Sequence, residues 1–119
     1  MCVTDLYRDM SLLTVVELPE FLRRAKSIMT EDEREELVGY LAANPEAGTP
    51  LGGGLRKVRF ARAGEGKSGG YRTIYVFGGT SLPLFLVTVF AKNEKANLSR
   101  TELSAAVELS KQLLATYGE

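Results

Sequence analysis

Basic residues are gathered in one stretch of this chain, although the chain as a whole has no net charge. Over 119 residues, 15 Lys and Arg balance 15 Asp and Glu. Residues 55–72 contain a single acid, Glu65, and six basic residues: Arg56, Lys57, Arg59, Arg62, Lys67 and Arg72. The net charge therefore gives no support to bulk attraction to a polyanion, and only this local patch can support binding to nucleic acid.

An alternating pattern organises the patch as β-strands, because successive side chains of a strand point to opposite faces. In residues 55–61, LRKVRFA, Val58 and Phe60 share one face, while Lys57 and Arg59 share the other. If residues 71–77, YRTIYVF, pair with this strand as a hairpin, Arg72 lies on the face of Lys57 and Arg59. The aromatic residues of the second strand then point into the core: Tyr71, Tyr75 and Phe77.

Two further segments adjoin this hairpin. Residues 62–70 are rich in glycine and predict a loop that holds Lys67 over the end of the strand pair. Residues 82–91 are apolar on both faces, which predicts a central strand covered from both sides. This strand delivers a polar run at its exit: Lys92, Asn93, Glu94 and Lys95.

The N-terminal half predicts one strand and two helices. We expect residues 1–10 to be loosely ordered and the β-branched residues 12–18 to form a strand. Apolar positions at helical spacing predict a helix over residues 20–29, directly after Pro19. Thr30 and Glu33 form a capping box that begins a second helix, which ends at Asn44-Pro45.

The rest of the chain predicts a mobile connector over residues 45–54 and a C-terminal helix that begins with a capping box at Ser99 and Glu102. The apolar stripe of this helix is predicted to pack on the sheet, although Leu114 and Tyr117 could instead bind a partner. The resulting order is strand-helix-helix-strand-strand-strand-helix. It predicts one small α+β domain over residues 1–119 with an antiparallel sheet.

The composition excludes several kinds of site. The chain has no His, and its one cysteine, Cys2, can form neither an internal disulfide nor a metal cluster. We therefore expect no metal and no cofactor. The charged N-terminus and the short apolar run that follows fit neither a signal peptide nor a spanning helix. We expect a cytoplasmic protein without a membrane partner.

Three motifs carry a resemblance to a known family: LRKVRFA at 55–61, GKSGGYRTIY at 66–75 and VFAKNEKANLS at 89–99. In combination they resemble the toxins of the RelE/ParE superfamily, and most closely the HigB-like branch of bacterial type II toxin–antitoxin systems. The resemblance implies a RelE-like fold and an mRNA endonuclease that acts with the ribosome and halts translation. It also implies a cognate antitoxin, which we expect to be a helix-turn-helix protein.

The resemblance also implies which residues act. It puts Lys57, Arg59 and Arg72 in the active cleft and Lys92 near it, and we expect these four to be catalytic. We expect a second set to bind RNA: Arg62, Lys67, Asn93 and Lys95. The chain departs from the family at Asn93, where an arginine is expected, and at Leu98, near an expected tyrosine.

The identity of the general base stays open in a chain without His. The sequence offers a lysine among other cations, a carboxylate such as Glu94, or a tyrosinate. Two other functions also stay open. ParE-like relatives inhibit DNA gyrase without cutting RNA, and a departure such as Asn93 or Leu98 is compatible with an inactive binding module. The cationic face could also be only a solvated sheet surface.

Overall fold

The described part of the chain folds into five strands and three helices. A computed structural model describes residues 13–62, 66–91, 94 and 97–117, without the side chains of residues 61, 62 and 66–69. Residues 1–10, for which loose order was predicted, lie outside the described part. The elements are β1 (Val15–Glu17), α1 (Pro19–Ile28), α2 (Glu31–Ala43), β2 (Thr49–Gly52), β3 (Leu55–Arg62), β4 (Gly66–Val76), β5 (Leu84–Ala91) and α3 (Arg100–Tyr117).

One sheet contains all five strands, in the order β1-β5-β4-β3-β2. β1 runs parallel to β5, and every other neighbouring pair is antiparallel. The predicted α+β class is therefore confirmed, with one more strand than expected. None of the helices in the described part of the chain has the length and apolar character that crossing a bilayer requires.

The helices begin where the sequence signals predict. Pro19 occupies the first turn of α1. At α2, Thr30 Oγ1 accepts a hydrogen bond from the Glu33 amide at 3.1 Å, and Glu33 Oε1 accepts one from the Thr30 amide at 2.9 Å. Ser99 and Glu102 make the same reciprocal pair before α3, at 3.1 and 2.8 Å. Both capping boxes are therefore confirmed.

The sheet is covered on both faces, and the alternation of β3 and β4 assigns residues to each. On one face, α1 and α2 pack on a core that includes Phe21, Leu37, Val58, Tyr71, Tyr75 and Val89. On the other face, the apolar stripe of α3 packs on Leu55, Ile74, Val76, Phe85, Val87 and Phe90. Tyr71 and Tyr75 are fully buried, so their predicted role as core aromatics is confirmed.

The prediction of a mobile connector over residues 45–54 is wrong for its second half. Residues 49–52 form β2, which pairs with β3 and places Thr49 opposite Lys57. The turn between β2 and β3 needs three consecutive glycines, because their φ angles are 113°, 62° and 90°. A side chain at Gly54 would also meet Leu114 Cδ1 at 2.6 Å. The glycines therefore form a tight turn that docks α3.

The loop predicted over residues 62–70 is also shorter than expected. β3 continues to Arg62 and β4 begins at Gly66, and these two residues pair across the ladder. Lys67 thus belongs to a strand and not to a loop. Glycine-rich segments can form either a loop or a strand, and cross-strand hydrogen bonding here favours the strand.

Helix α3 covers only part of its sheet face. Leu55, Ile74 and Val76 lie under the helix. Further along the same face, Lys57 and Arg72 are only partly buried and Arg59 is exposed. The sequence pattern predicted one charged face, whereas the structure divides that face into an apolar half under α3 and a cationic half open to solvent.

Candidate active site

The β3–β4 hairpin brings three of the four predicted catalytic residues together. Arg59 and Arg72 are direct cross-strand partners, and Lys57 lies two residues before Arg59 on the same face. All three line a groove of about 490 Å³, together with Tyr40 and Asn97. The predicted sharing of one face by these cations is therefore confirmed.

Arg72 has the most constrained environment of the three. Burial, and then the positive charge of Arg59, lower the pKa of Arg72 from its ordinary value. Its Nη1 atom is buried, and no described residue accepts a hydrogen bond from it. A buried guanidinium donor without an acceptor among the described residues, next to a second guanidinium, suits an anion with several oxygens.

Lys57 is held by a residue from a distant part of the chain. Its Nζ donates a hydrogen bond to Oδ1 of Asn97, which precedes α3. The β2 edge adds Thr49 to the groove next to Lys57. The Asn97 amide oxygen thus holds the ammonium group at the groove without cancelling its charge, because the acceptor is neutral.

A fourth cation of the patch, Arg56, belongs to the opposite face. Its Nη2 donates to the carbonyl oxygens of Gly48 at 2.7 Å and Glu46 at 3.1 Å. Its cross-strand partner Tyr75 donates from Oη to the carbonyl of Pro45 at 2.8 Å and accepts from the Gly48 amide at 2.9 Å. Arg56 and Tyr75 therefore fix the segment that leads into β2 and the groove wall.

Comparison with known proteins assigns the chain to a family. A family model described as the RelE toxin of the RelE/RelB toxin–antitoxin system matches residues 18–119. The chain belongs to the RelE toxin family. It is therefore a toxin of a toxin–antitoxin system, and its partner is an antitoxin. The closer resemblance to the HigB-like branch stays a prediction.

Glu94 of the toxin lies at a second groove and not among the residues that line the cationic groove. Arg24 donates from Nη2 to both carboxylate oxygens of Glu94, at 2.6 and 2.7 Å. Glu94 Oε1 also accepts from the Ala91 amide at 3.0 Å. This carboxylate lines a second groove of about 610 Å³ between α1, β5 and α3. Its contacts join Glu94 to helix α1 and to the end of β5.

Several predicted site residues lie outside the described part of the toxin. Lys92, Asn93 and Lys95 follow β5 and are not described. The backbones of Arg62 and Lys67 belong to β3 and β4, but their side chains are not described either. Their expected contacts with RNA stay predictions.

The sequence did not predict Asn97 and Tyr40 as residues of the groove. Asn97 was part of the third family motif, and its place between β5 and the capping box of α3 was the available signal. No sequence motif pointed to Tyr40, because it lies in helix α2, 17 residues before Lys57. Only the folding of α2 against the β3 edge, where Tyr40 contacts Phe60, brings it to the groove.

Proposed function

We propose that this toxin is a metal-independent endoribonuclease that cuts mRNA in the decoding site of the ribosome. The observation that carries the proposal is the cross-strand pair of Arg59 and Arg72, with a buried guanidinium nitrogen of Arg72 unpaired among the described residues. Two facing guanidinium groups suit a phosphate whose charge increases during reaction, since preorganised donors stabilise developing charge strongly.

The chemistry follows from the substrate and the cations. The 2′-oxygen of one ribose attacks the adjacent phosphorus and loses its proton. The bond from phosphorus to the 5′-oxygen of the next nucleotide then breaks, and that oxygen takes up a proton. The products carry a 2′,3′-cyclic phosphate and a 5′-hydroxyl. Arg59 and Arg72 hold the non-bridging oxygens in planar forks, and Lys57 adds a point charge beside them.

The proposed role of the ribosome is to position the toxin on its RNA substrate, which the toxin's net charge does not do. A chain with zero net charge gains little from long-range attraction to free RNA. A ribosomal surface that positions the toxin over the message makes long-range attraction to RNA unnecessary. We further propose a helix-turn-helix antitoxin, in line with the HigB-like resemblance, and residence of the toxin in the cytoplasm, where ribosomes work.

The test is cleavage of mRNA on purified, programmed ribosomes, with the cut mapped by primer extension and the new ends analysed chemically. Wild-type toxin is expected to cut, and Arg72→Ala is expected to cut at least about a hundredfold more slowly. Arg23→Ala is the matched control, because Arg23 is an exposed arginine of α1 that pairs with Glu20. It is expected to cut at the wild-type rate.

The competing function has its own measurement. Inhibition of DNA gyrase without RNA cleavage would appear as loss of supercoiling in a purified gyrase assay while ribosome-bound message stays intact. That result would overturn the proposal. Absence of both activities, with no growth arrest on induction, would instead identify an inactive toxin-fold module.

A further inference from the structure

An exposed aromatic ring lies at the cationic groove. Tyr40 has 41% of its surface exposed, whereas Tyr71 and Tyr75 are fully buried. It lines the same groove as Lys57, Arg59 and Arg72. An open aromatic surface beside phosphate-binding cations is the combination that single-stranded nucleic acid requires, because bases stack while the backbone follows positive charge.

Tyr40 has one aromatic neighbour and lies near the end of a helix. Phe60 contacts it at a centroid distance of 5.8 Å and an interplanar angle of 47°. The position is carried by α2, whose C-terminal end is closed by the Asn44 side-chain amide donating to the Tyr40 carbonyl at 3.0 Å. A regular helix therefore carries Tyr40, and Phe60 packs against one part of its ring.

We propose that Tyr40 is a stacking platform for a nucleobase of single-stranded RNA, next to the phosphate that Arg59 and Arg72 hold. The inference rests on the proposed function, since it extends the substrate contacts of the same groove. Leu98 stands near the position where the family resemblance leads one to expect a tyrosine, and it is partly buried against the core that α3 covers. Tyr40 provides an aromatic surface from a different element.

The experiment uses an RNA oligonucleotide with 2-aminopurine as the probe, because stacking quenches its fluorescence. Tyr40→Leu keeps an apolar contact with Phe60 and removes the aromatic face. It is expected to weaken RNA binding about 5- to 150-fold and to reduce quenching. Tyr40→Trp is expected to bind at least as tightly as wild type. Tyr117→Leu is the matched control, since Tyr117 is also exposed and lies at the end of α3.

Salt dependence separates stacking from phosphate binding. Loss of a phosphate contact lowers the slope of log affinity against log salt concentration, whereas loss of a stacking contact leaves that slope unchanged. Arg59→Ala is therefore expected to reduce the slope, and Tyr40→Leu to keep the wild-type slope. Melting temperatures establish that each variant folds. If Tyr40→Leu does not fold, RNA binding by Tyr40→Trp tests the stacking proposal instead.

Three results would overturn the inference. They are unchanged RNA binding by Tyr40→Leu, a lower salt slope in that variant, or weaker binding by Tyr40→Trp with a normal melting temperature. Unchanged RNA binding together with loss of antitoxin affinity would make Tyr40 an antitoxin contact instead. The proposed function fails separately, if wild-type toxin leaves ribosome-bound message uncut whatever the Tyr40 variants do.

Discussion

Arg59 and Arg72 face each other directly across the β3–β4 ladder, so that two positive charges share one cross-strand position. Like charges in this arrangement destabilise a sheet. Burial and the charge of Arg59 both lower the pKa of Arg72, because both disfavour its charged form. An anion between the two groups would relieve the repulsion. The pair therefore favours ligand binding over stability of the free toxin.

Sulfate is expected to stabilise the toxin through this pair. At ten times its dissociation constant, a bound anion adds about 1.4 kcal/mol to the free energy of unfolding. Thermal melts in sodium sulfate, compared with sodium chloride of equal ionic strength, should show a larger rise for wild type than for Arg72→Ala. In the absence of sulfate, Arg72→Ala should be no less stable than wild type, because the substitution removes the repulsion between Arg59 and Arg72. Equal responses of both proteins to sulfate would contradict an anion site at Arg72.

Asn97→Ala is expected to reduce cleavage about tenfold, because the mutation removes the acceptor that directs Lys57. Since Asn97 acts through Lys57, Asn97→Ala should have little further effect in a Lys57→Ala background. Single-turnover cleavage rates of both single variants and the double variant complete the cycle. Fully additive losses would show that Asn97 acts independently of Lys57.

Two adjacent arginines of α1 should differ in their effect on stability. Arg24 bonds both oxygens of Glu94, and its Nε donates to the Val89 carbonyl at 3.2 Å. Its side chain is 24% exposed, whereas that of Arg23 is 68% exposed. Urea denaturation should give a loss of about 1–2 kcal/mol for Arg24→Ala and less than about 0.5 kcal/mol for Arg23→Ala. Equal losses would show that the contacts of Arg24 contribute no stability.

Tyr75 gives the toxin a dependence on alkaline pH. Burial raises the pKa of Tyr75 above its ordinary value of 10.0, although the hydrogen bond from the Gly48 amide acts in the opposite direction. Because the folded-state pKa is the higher one, the stabilising contribution is complete below about pH 10 and is lost as pH rises through the folded-state pKa. The stability difference between wild type and Tyr75→Phe should therefore shrink above pH 10. A stability difference that stays unchanged above pH 10 would contradict this prediction.

Local signals predicted much of the fold. The capping boxes at Thr30 and Ser99 act within four residues, and both helices begin where they predict. The alternation of β3 and β4 likewise placed Arg59 and Arg72 on one face, because strand parity depends only on the local chain. What failed was β2, whose strand state depends on pairing with β3 and not on its own Thr-Pro-Leu-Gly sequence.

The sequence predicted the cations of the site and missed the residues that reach it from distant parts of the chain. Its three central cations lie on one hairpin, and their proximity follows from short-range pairing. Glu94 was one of the possible bases, and its carboxylate bonds Arg24, 70 residues away. Asn97 and Tyr40 reach the groove only through tertiary packing. Such contacts depend on how helices dock, which no periodicity in this sequence specifies.

The separation of residue types between the two faces of β3 and β4 also restricts how the chain can misfold. If the two strands paired one residue out of step, Arg72 would turn toward α1 and α2, and Tyr71 would leave the core. An arginine placed among Phe21 and Leu37 would lose its hydration without gaining a partner, at a cost of several kcal/mol. The helices can therefore close only over a correctly aligned hairpin. The same cations that prepare the groove for an anion exclude the shifted alignment during folding.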